Sequence, residues 1–229
     1  YGDKKVTDLS DWGRPIARII ANFLKDKPVS VIQVTNLHLV LTIYCSWLIL
    51  EGSMVTACAL LIVKGVIDAV DGELARIRDK PSHVGRYWDT IADSIGLFAV
   101  MCSFAVVLQW TPYLTGLIIL AILFQYSLFN YYSIAMRSLS LGDTTSRIDE
   151  RTKPTAYPWE KQSTVNFFHR IYLLSFSWQD RIIAKLSGKG SESLMFEFTL
   201  SSLLGFGFQS LILLILALTE QLDNLPELV

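Results

Sequence analysis

The sequence predicts an all-α, polytopic membrane helix bundle, and two observations carry that prediction. Of 229 residues, 52% are hydrophobic and only 18% charged, with a mean hydropathy of +0.40. A soluble domain runs roughly 45–50% apolar and about 25% charged. The apolar residues also gather into five stretches, at 31–50, 53–70, 90–110, 113–136 and 194–218. Each has about the 20 residues a membrane-spanning helix needs. The 20 Lys+Arg nearly cancel the 21 Asp+Glu, which argues against a nucleic-acid binder built on basic excess. Cys45, Cys58 and Cys102 all sit in apolar runs and read as small buried hydrophobes rather than a disulfide framework.

The positive charges assign an orientation. Lys4, Lys5, Arg14, Arg18, Lys25 and Lys27 precede the first span; Arg76, Arg78, Lys80 and Arg86 lie between the second and third. Arg137, Arg147, Arg151, Lys153, Lys161, Arg170, Arg181, Lys185 and Lys189 lie between the fourth and fifth. The short connections and the tail 219–229 carry none, and Lys64 alone lies inside a span. Positive charge marks cytoplasmic loops. The N-terminus and both long loops are therefore expected in the cytoplasm, and the tail outside.

Residues 1–229 read as one membrane domain. In 10–27, Ser10-Asp11 gives a helix start, and Trp12, Ile16, Ile19, Ile20 and Phe23 recur on one face with Arg14, Arg18 and Lys25 on another. This is an amphipathic cytoplasmic helix, lying on the membrane surface or docked on the protein itself. The four spans of 31–136 follow, with the chemistry at 68–93. Residues 137–193 are expected to form a cytoplasmic loop, polar over 141–163, and then a second interfacial helix over 164–186. The fifth span covers 194–218.

Ionisable residues inside spans are costly and are functional candidates by default. Asp68 and Asp71 stand three apart at the end of the second span, and Asp89 and Asp93 four apart at the start of the third, so each pair shares a helix face. A short connection makes the two helices antiparallel neighbours, and four unpaired carboxylates brought together would repel. A hard divalent cation with oxygen ligands resolves this. His38, His83 and His169 are scattered and read as surface or packing residues. Lys64, one turn before Asp68, either offsets the acids or snorkels to the interface. Glu73 points off the shared face and is expected in solvent. An ion pathway through a transporter or channel is the alternative use of such acids.

The string Asp68-x2-Asp71-Gly72-x2-Ala75-Arg76-x8-Gly85-x3-Asp89-x3-Asp93 resembles the signature of the CDP-alcohol phosphatidyltransferases (CDP-alcohol phosphotransferases), with every fixed position matched. The resemblance implies transfer of a phosphatidyl or substituted phosphate group from a CDP-linked donor to an alcohol acceptor. CMP is released, in phospholipid biosynthesis. It implies two divalent ions, Mg²⁺ or Mn²⁺, with Asp68, Asp71 and Asp89 as ligands. Asp93 would contact the second ion and take the acceptor's proton. Gly72 would lie near the cytidine, and Ser82 where many members place a nucleotide-contacting hydroxyl. Arg76 offers a planar donor fork suited to pyrophosphate, although positive-inside anchoring also explains it. A homodimer in a lipid membrane, the cell membrane if the protein is prokaryotic, is implied as well. Members usually have six spans, so a sixth is expected outside residues 1–229. Their Pro-Asn-x-x-Thr-like opening of the first span is only loosely echoed by Val34-Thr35-Asn36-Leu37-His38. Arg137, Arg147, Arg151 and Lys153 are candidates for binding an acceptor or lipid phosphate, or simple topology anchors. The polyprenyl transferases carry two separate Asp-rich motifs, and this chain has one composite motif.

Overall fold

A computed structural model of the chain describes residues 8–139, 152–186 and 194–229; Arg147 and Arg151 lie outside them, as does the side chain of Arg137. The described residues form helices and connections, with no strand. In chain order these are α1 (Arg14–Leu24), α2 (Val31–Leu50), α3 (Met54–Ile77), α4 (His83–Val107), α5 (Pro112–Leu139), α6 (Gln162–Leu186), α7 (Leu194–Ser201), α8 (Phe206–Leu218) and α9 (Leu225–Leu228).

Four of the five expected spans coincide with helical runs long and apolar enough to cross a bilayer: Val31–Leu50, His83–Val107, Pro112–Met136 and Leu194–Leu218. The fifth, 53–70, lies in α3, which has 24 residues but carries Lys64, Asp68 and Asp71 along its length. The last run is interrupted: a 3₁₀ turn at Ser202–Leu204 and extended backbone at Gly205 separate α7 from α8. The segment before α1 closes on this break. Leu9 N–H donates to Ser202 Oγ at 3.0 Å and Trp12 Nε1 to the Gly207 carbonyl at 3.2 Å.

Helix α2 packs against both α3 and α4 and lies between them, so the two acid-bearing helices meet across α2 rather than pairing directly as the short connection suggests. The turn from α2 to α3 runs through Gly52 at φ +80°, a conformation that costs glycine nothing. Farther along, Gly96 of α4 lets α2 approach: a Cβ there would stand 2.8 Å from the Thr42 methyl. Thr42 cannot easily turn away, because its β-branched side chain is stiff and its hydroxyl donates to the His38 carbonyl at 2.7 Å. The main core lies at the end of the bundle away from the acids. Ile49, Cys58, Leu61, Phe104, Ile122 and Leu216 are buried together there. Cys45 and Cys58 are buried free thiols, as expected, whereas Cys102 is exposed on the bundle's surface.

Helix α1 is docked on the protein, one of its two sequence readings. Ala17 and Ala21 pack on Val34, Val70 and Leu74, while Ile16, Ile19 and Phe23 stay exposed, Ile19 and Phe23 at 71% each. A docked helix that leaves large apolar side chains outward is suited to a membrane surface. Helix α6 departs from expectation. Phe168 meets Trp88 near the start of α4, and ten residues on, Trp178 and Gln179 meet Phe124 and Ser127 midway along α5. Gln179 is only 1% exposed. α6 therefore packs along α4 and α5 as a wall of the bundle. The tail also folds back, burying Leu222 and Leu225 in the core.

The Gly96 contact makes a test of opposite signs. Replacing an exposed helical glycine by alanine ordinarily stabilises by roughly 0.5–1 kcal/mol. Gly116→Ala, where a Cβ meets nothing within 4 Å, should therefore hold or raise the melting temperature in detergent. Gly96→Ala should instead lower stability by about 1–3 kcal/mol through overpacking. Equal effects would mean that α2 and α4 are not locked at this point.

Candidate active site

The acids occupy the last turns of α3 and the first turns of α4, and the connection between these helices is held from several sides. Ser82 caps α4, its Oγ accepting the Gly85 N–H at 2.8 Å, which is the usual role of an N-cap hydroxyl. The same hydroxyl donates to Glu160 Oε1 at 2.8 Å, and Glu160 also accepts the Val84 N–H at 2.9 Å. Tyr157 stacks between His83 and Trp159, and Trp159 Nε1 donates to the Pro81 carbonyl. Part of the stretch expected as an exposed loop is thus docked on the α3–α4 turn. Ser82, expected at the nucleotide, spends its hydroxyl on this cap. Arg78, just past α3, donates to the carbonyls of Leu24, Lys25, Lys27 and Val29. It thereby satisfies the open carbonyls that end α1.

With the turn fixed, the carboxylates converge. One ligand atom each from His38, Asp68, Asp89 and Asp93 falls within 4.8 Å of the others, and this is the one such His/Cys/Asp/Glu group among the described residues. Asp71 stands alongside, 3.9 Å from His38 Nε2, and its Oδ2 accepts the Thr35 hydroxyl at 2.7 Å. Lys64 is buried, at 4% exposure. Its Nζ lies 2.5 Å from Asp93 Oδ1 and 3.4 Å from Asp68 Oδ2, over the Phe206 ring. Of its two sequence readings, charge compensation is the one the geometry bears out.

The donor set fits a divalent cation. Oxygen-rich clusters of this kind suit Mg²⁺ or Mn²⁺, and Asp89 Oδ1 is buried without a hydrogen-bond partner. Buried polar atoms are nearly always partnered; this oxygen has only His38 Nε2 beside it, at 3.3 Å, and within a group of carboxylates it has the character of an ion ligand.

Around this cluster, Gly72 is open on the side its Cβ would occupy. The nearest atoms there belong to the flexible Arg76 guanidinium, at 3.4 Å and beyond. Arg76 is half-exposed and donates to Glu73 Oε1 at 3.0 Å. Glu73 corrects the reading that placed it in solvent: its side chain is 8% exposed and also lies 3.6 Å from Arg18 and 3.7 Å from Arg14. It ties α1 to α3, because α1 covers the flank of α3 that looked open in the sequence.

Two contributors were missed. Thr35 and His38 are both 0% exposed, and with Thr42 and Ser46 they form a stripe at helical spacing (i, i+3, i+7, i+11) in α2. A polar stripe along an otherwise apolar span was the available signal.

The family model described as CDP-alcohol phosphatidyltransferase matches residues 30–204, from the N-cap of α2 to the break before α8. The chain belongs to this family. It is a membrane transferase of the class that moves phosphatidyl groups from CDP-activated substrates, which favours the transferase over the transporter or channel. No curated protein matches the chain.

Beside the cluster, this family member holds a cavity of about 350 Å³. Asp89, Asp93 and Lys64 stand in its wall, and Leu97, Ile122 and Leu213 line it farther in. Its volume lies within the ~300–1,000 Å³ common for small-molecule sites.

The Lys64 contact predicts a double-mutant cycle. Lys64→Met strips the buried counter-charge from Asp93 and should cost about 1–3 kcal/mol, the range for an orphaned partner. The side chain of Asp93 is 41% exposed, which keeps the loss below that of a fully buried pair. Lys64→Met/Asp93→Asn should regain part of it in thermal unfolding. Strictly additive losses would mean that Lys64 does not act through Asp93.

Proposed function

We propose that this family member transfers a phosphatidyl or substituted phosphate group from CDP-diacylglycerol or a CDP-alcohol to an alcohol acceptor, releasing CMP in phospholipid biosynthesis. The observation that carries this reading is the convergence of Asp68, Asp89 and Asp93, with Asp71 beside them, next to a largely apolar cavity whose wall includes Asp89 and Asp93. The acceptor hydroxyl oxygen attacks the donor phosphorus as the bond to the CMP oxygen breaks, and the hydroxyl proton passes to Asp93. Two divalent ions, Mg²⁺ or Mn²⁺, held by Asp68, Asp71, Asp89 and Asp93, supply the charge neutralisation that phosphoryl transfer needs. Arg76 can leave Glu73 to present its fork to the pyrophosphate, and the open flank of Gly72 admits the cytidine. Thr35 holds Asp71 in place. Lys64 orients Asp93 and must release it as the proton is taken. The charge pattern supports an active site on the cytoplasmic side.

The test is CMP release by the protein reconstituted in lipid vesicles with a CDP-linked donor, a panel of alcohol acceptors, and Mg²⁺ or Mn²⁺. Turnover should require the ion. Asp68→Asn, Asp71→Asn, Asp89→Asn and Asp93→Asn should each cut it by far more than tenfold, about 1.4 kcal/mol of barrier. A smaller loss removes that residue from the site.

Donor titrations at matched Mg²⁺ distinguish the proton acceptor from the ligands. Asp93→Asn should keep donor affinity within about tenfold, or ~1.4 kcal/mol, and lose the chemical step. Asp71→Asn should lose both. Equal loss of donor binding in the two variants rejects the base assignment.

A further inference from the structure

We propose that His38 Nε2 is a ligand of the divalent ion held by the carboxylate cluster, and that this nitrogen biases the site toward Mn²⁺ over Mg²⁺. The inference rests on the ion-dependent reading above and deepens it by naming a ligand from α2, outside the Asp-rich signature.

Three observations carry it. First, His38 Nε2 faces three carboxylates from two other helices, 3.3 Å from Asp89 Oδ1, 3.5 Å from Asp68 Oδ1 and 3.9 Å from Asp71 Oδ2. Second, the side chain is 1% exposed, yet neither ring nitrogen completes a hydrogen bond. A buried polar atom left without a well-formed hydrogen bond is costly, by about 1–3 kcal/mol when wholly unpartnered, and ligation would give Nε2 a better-directed partner than the Asp89 oxygen at 3.3 Å. Third, the spread is right. Donors about 2.0–2.2 Å from an ion lie at most about 4.4 Å apart across it, and the His38–Asp68–Asp89–Asp93 atoms already lie within 4.8 Å. A closure of a few tenths of an ångström completes the shell.

The position is determined by α2 rather than by chance packing. Thr35 and Thr42, one turn to either side, fix the rotation of the helix through Asp71 and through the Gly96 contact. His38 is thereby aimed at the acids. Mg²⁺ favours an all-oxygen octahedral shell and sheds water reluctantly; Mn²⁺ shares the preference for carboxylates but, as a softer first-row ion, accepts one imidazole in such a shell more readily than Mg²⁺ does. A mixed nitrogen and carboxylate site therefore discriminates in favour of Mn²⁺.

The experiment uses detergent-solubilised, tag-free protein loaded with Mn²⁺ alone, without donor or acceptor. Pulsed electron paramagnetic resonance should detect ¹⁴N coupling from a bound imidazole, replaced by ¹⁵N coupling after selective histidine labelling. The chain has three histidines, so the assignment is direct. The signal should persist in His83→Gln/His169→Gln and vanish in His38→Gln. His38→Gln should also weaken Mn²⁺ binding by at least about tenfold, the smallest loss usual when even an outer-sphere partner is removed, with Mg²⁺ binding changed much less. If His38→Gln fails to fold, the labelled wild type and the double variant still decide the assignment. Bound Mn²⁺ without nitrogen coupling, or coupling that survives His38→Gln, overturns the His38 assignment and leaves the carboxylate site standing. Equal losses of Mn²⁺ and Mg²⁺ affinity overturn the bias. No Mn²⁺ uptake overturns the ligand assignment and the ion-dependent reading together.

Discussion

Repulsion among carboxylates inside an apolar bundle is the constraint around which this molecule is arranged. Two like charges 4 Å apart cost about 4 kcal/mol at the effective dielectric of a protein's surface region, and more deeper in. Asp68, Asp89 and Asp93 cannot share one small volume without compensation, and Asp71 stands close enough to add to the problem. Each neighbour answers part of it. Lys64 sits between Asp93 and Asp68, and Thr35 donates to Asp71. His38 stands where three of the acids meet. These compensating groups come from α2 and α3, so α2 is part of the site's electrostatics rather than mere packing.

Such an arrangement tolerates little slack, and the surrounding structure removes it at the α3–α4 turn. Arg78 is tied to the end of α1, while Ser82 and Glu160 close the start of α4. Glu73 joins two arginines of α1 to the helix bearing Asp68 and Asp71. The tethers lie within a few residues of the acids. Lateral drift of either helix would break several polar contacts at once, which is how a site built on two helices keeps sub-ångström order.

The parts of this design that were legible in the sequence share one property: they are local or periodic. The apolar runs, the alternation of positive loops and the i, i+3 and i, i+4 acids need only the chain's own spacing. Asp68, Asp89 and Asp93 were found on that basis. What could not be read depends on which faces of distant helices meet. Glu73 was assigned to solvent because nothing in its neighbourhood shows that α1 will cover it. α6 looked interfacial because its charges were weighed without the Tyr87 and Ser127 surfaces it packs against. His38 looked ordinary because its significance lies in its distance to residues thirty and fifty positions away. Ser82 was seen, but the cap it forms with Glu160 spans a long connection and leaves no mark in the motif.

The wall of the cavity divides labour between two regions of the chain. Its reactive end is drawn from α3 and α4, which hold the signature, whereas Gln125, Tyr126 and Asn130 of α5, Phe176 of α6 and Gln209 of α8 line much of the rest. Substitutions along α5, α6 and α8 can reshape the chamber without touching an acid. The chemistry and the chamber of this molecule are therefore separable: side chains of α5, α6 and α8 can change what fits beside the acids without moving one of them.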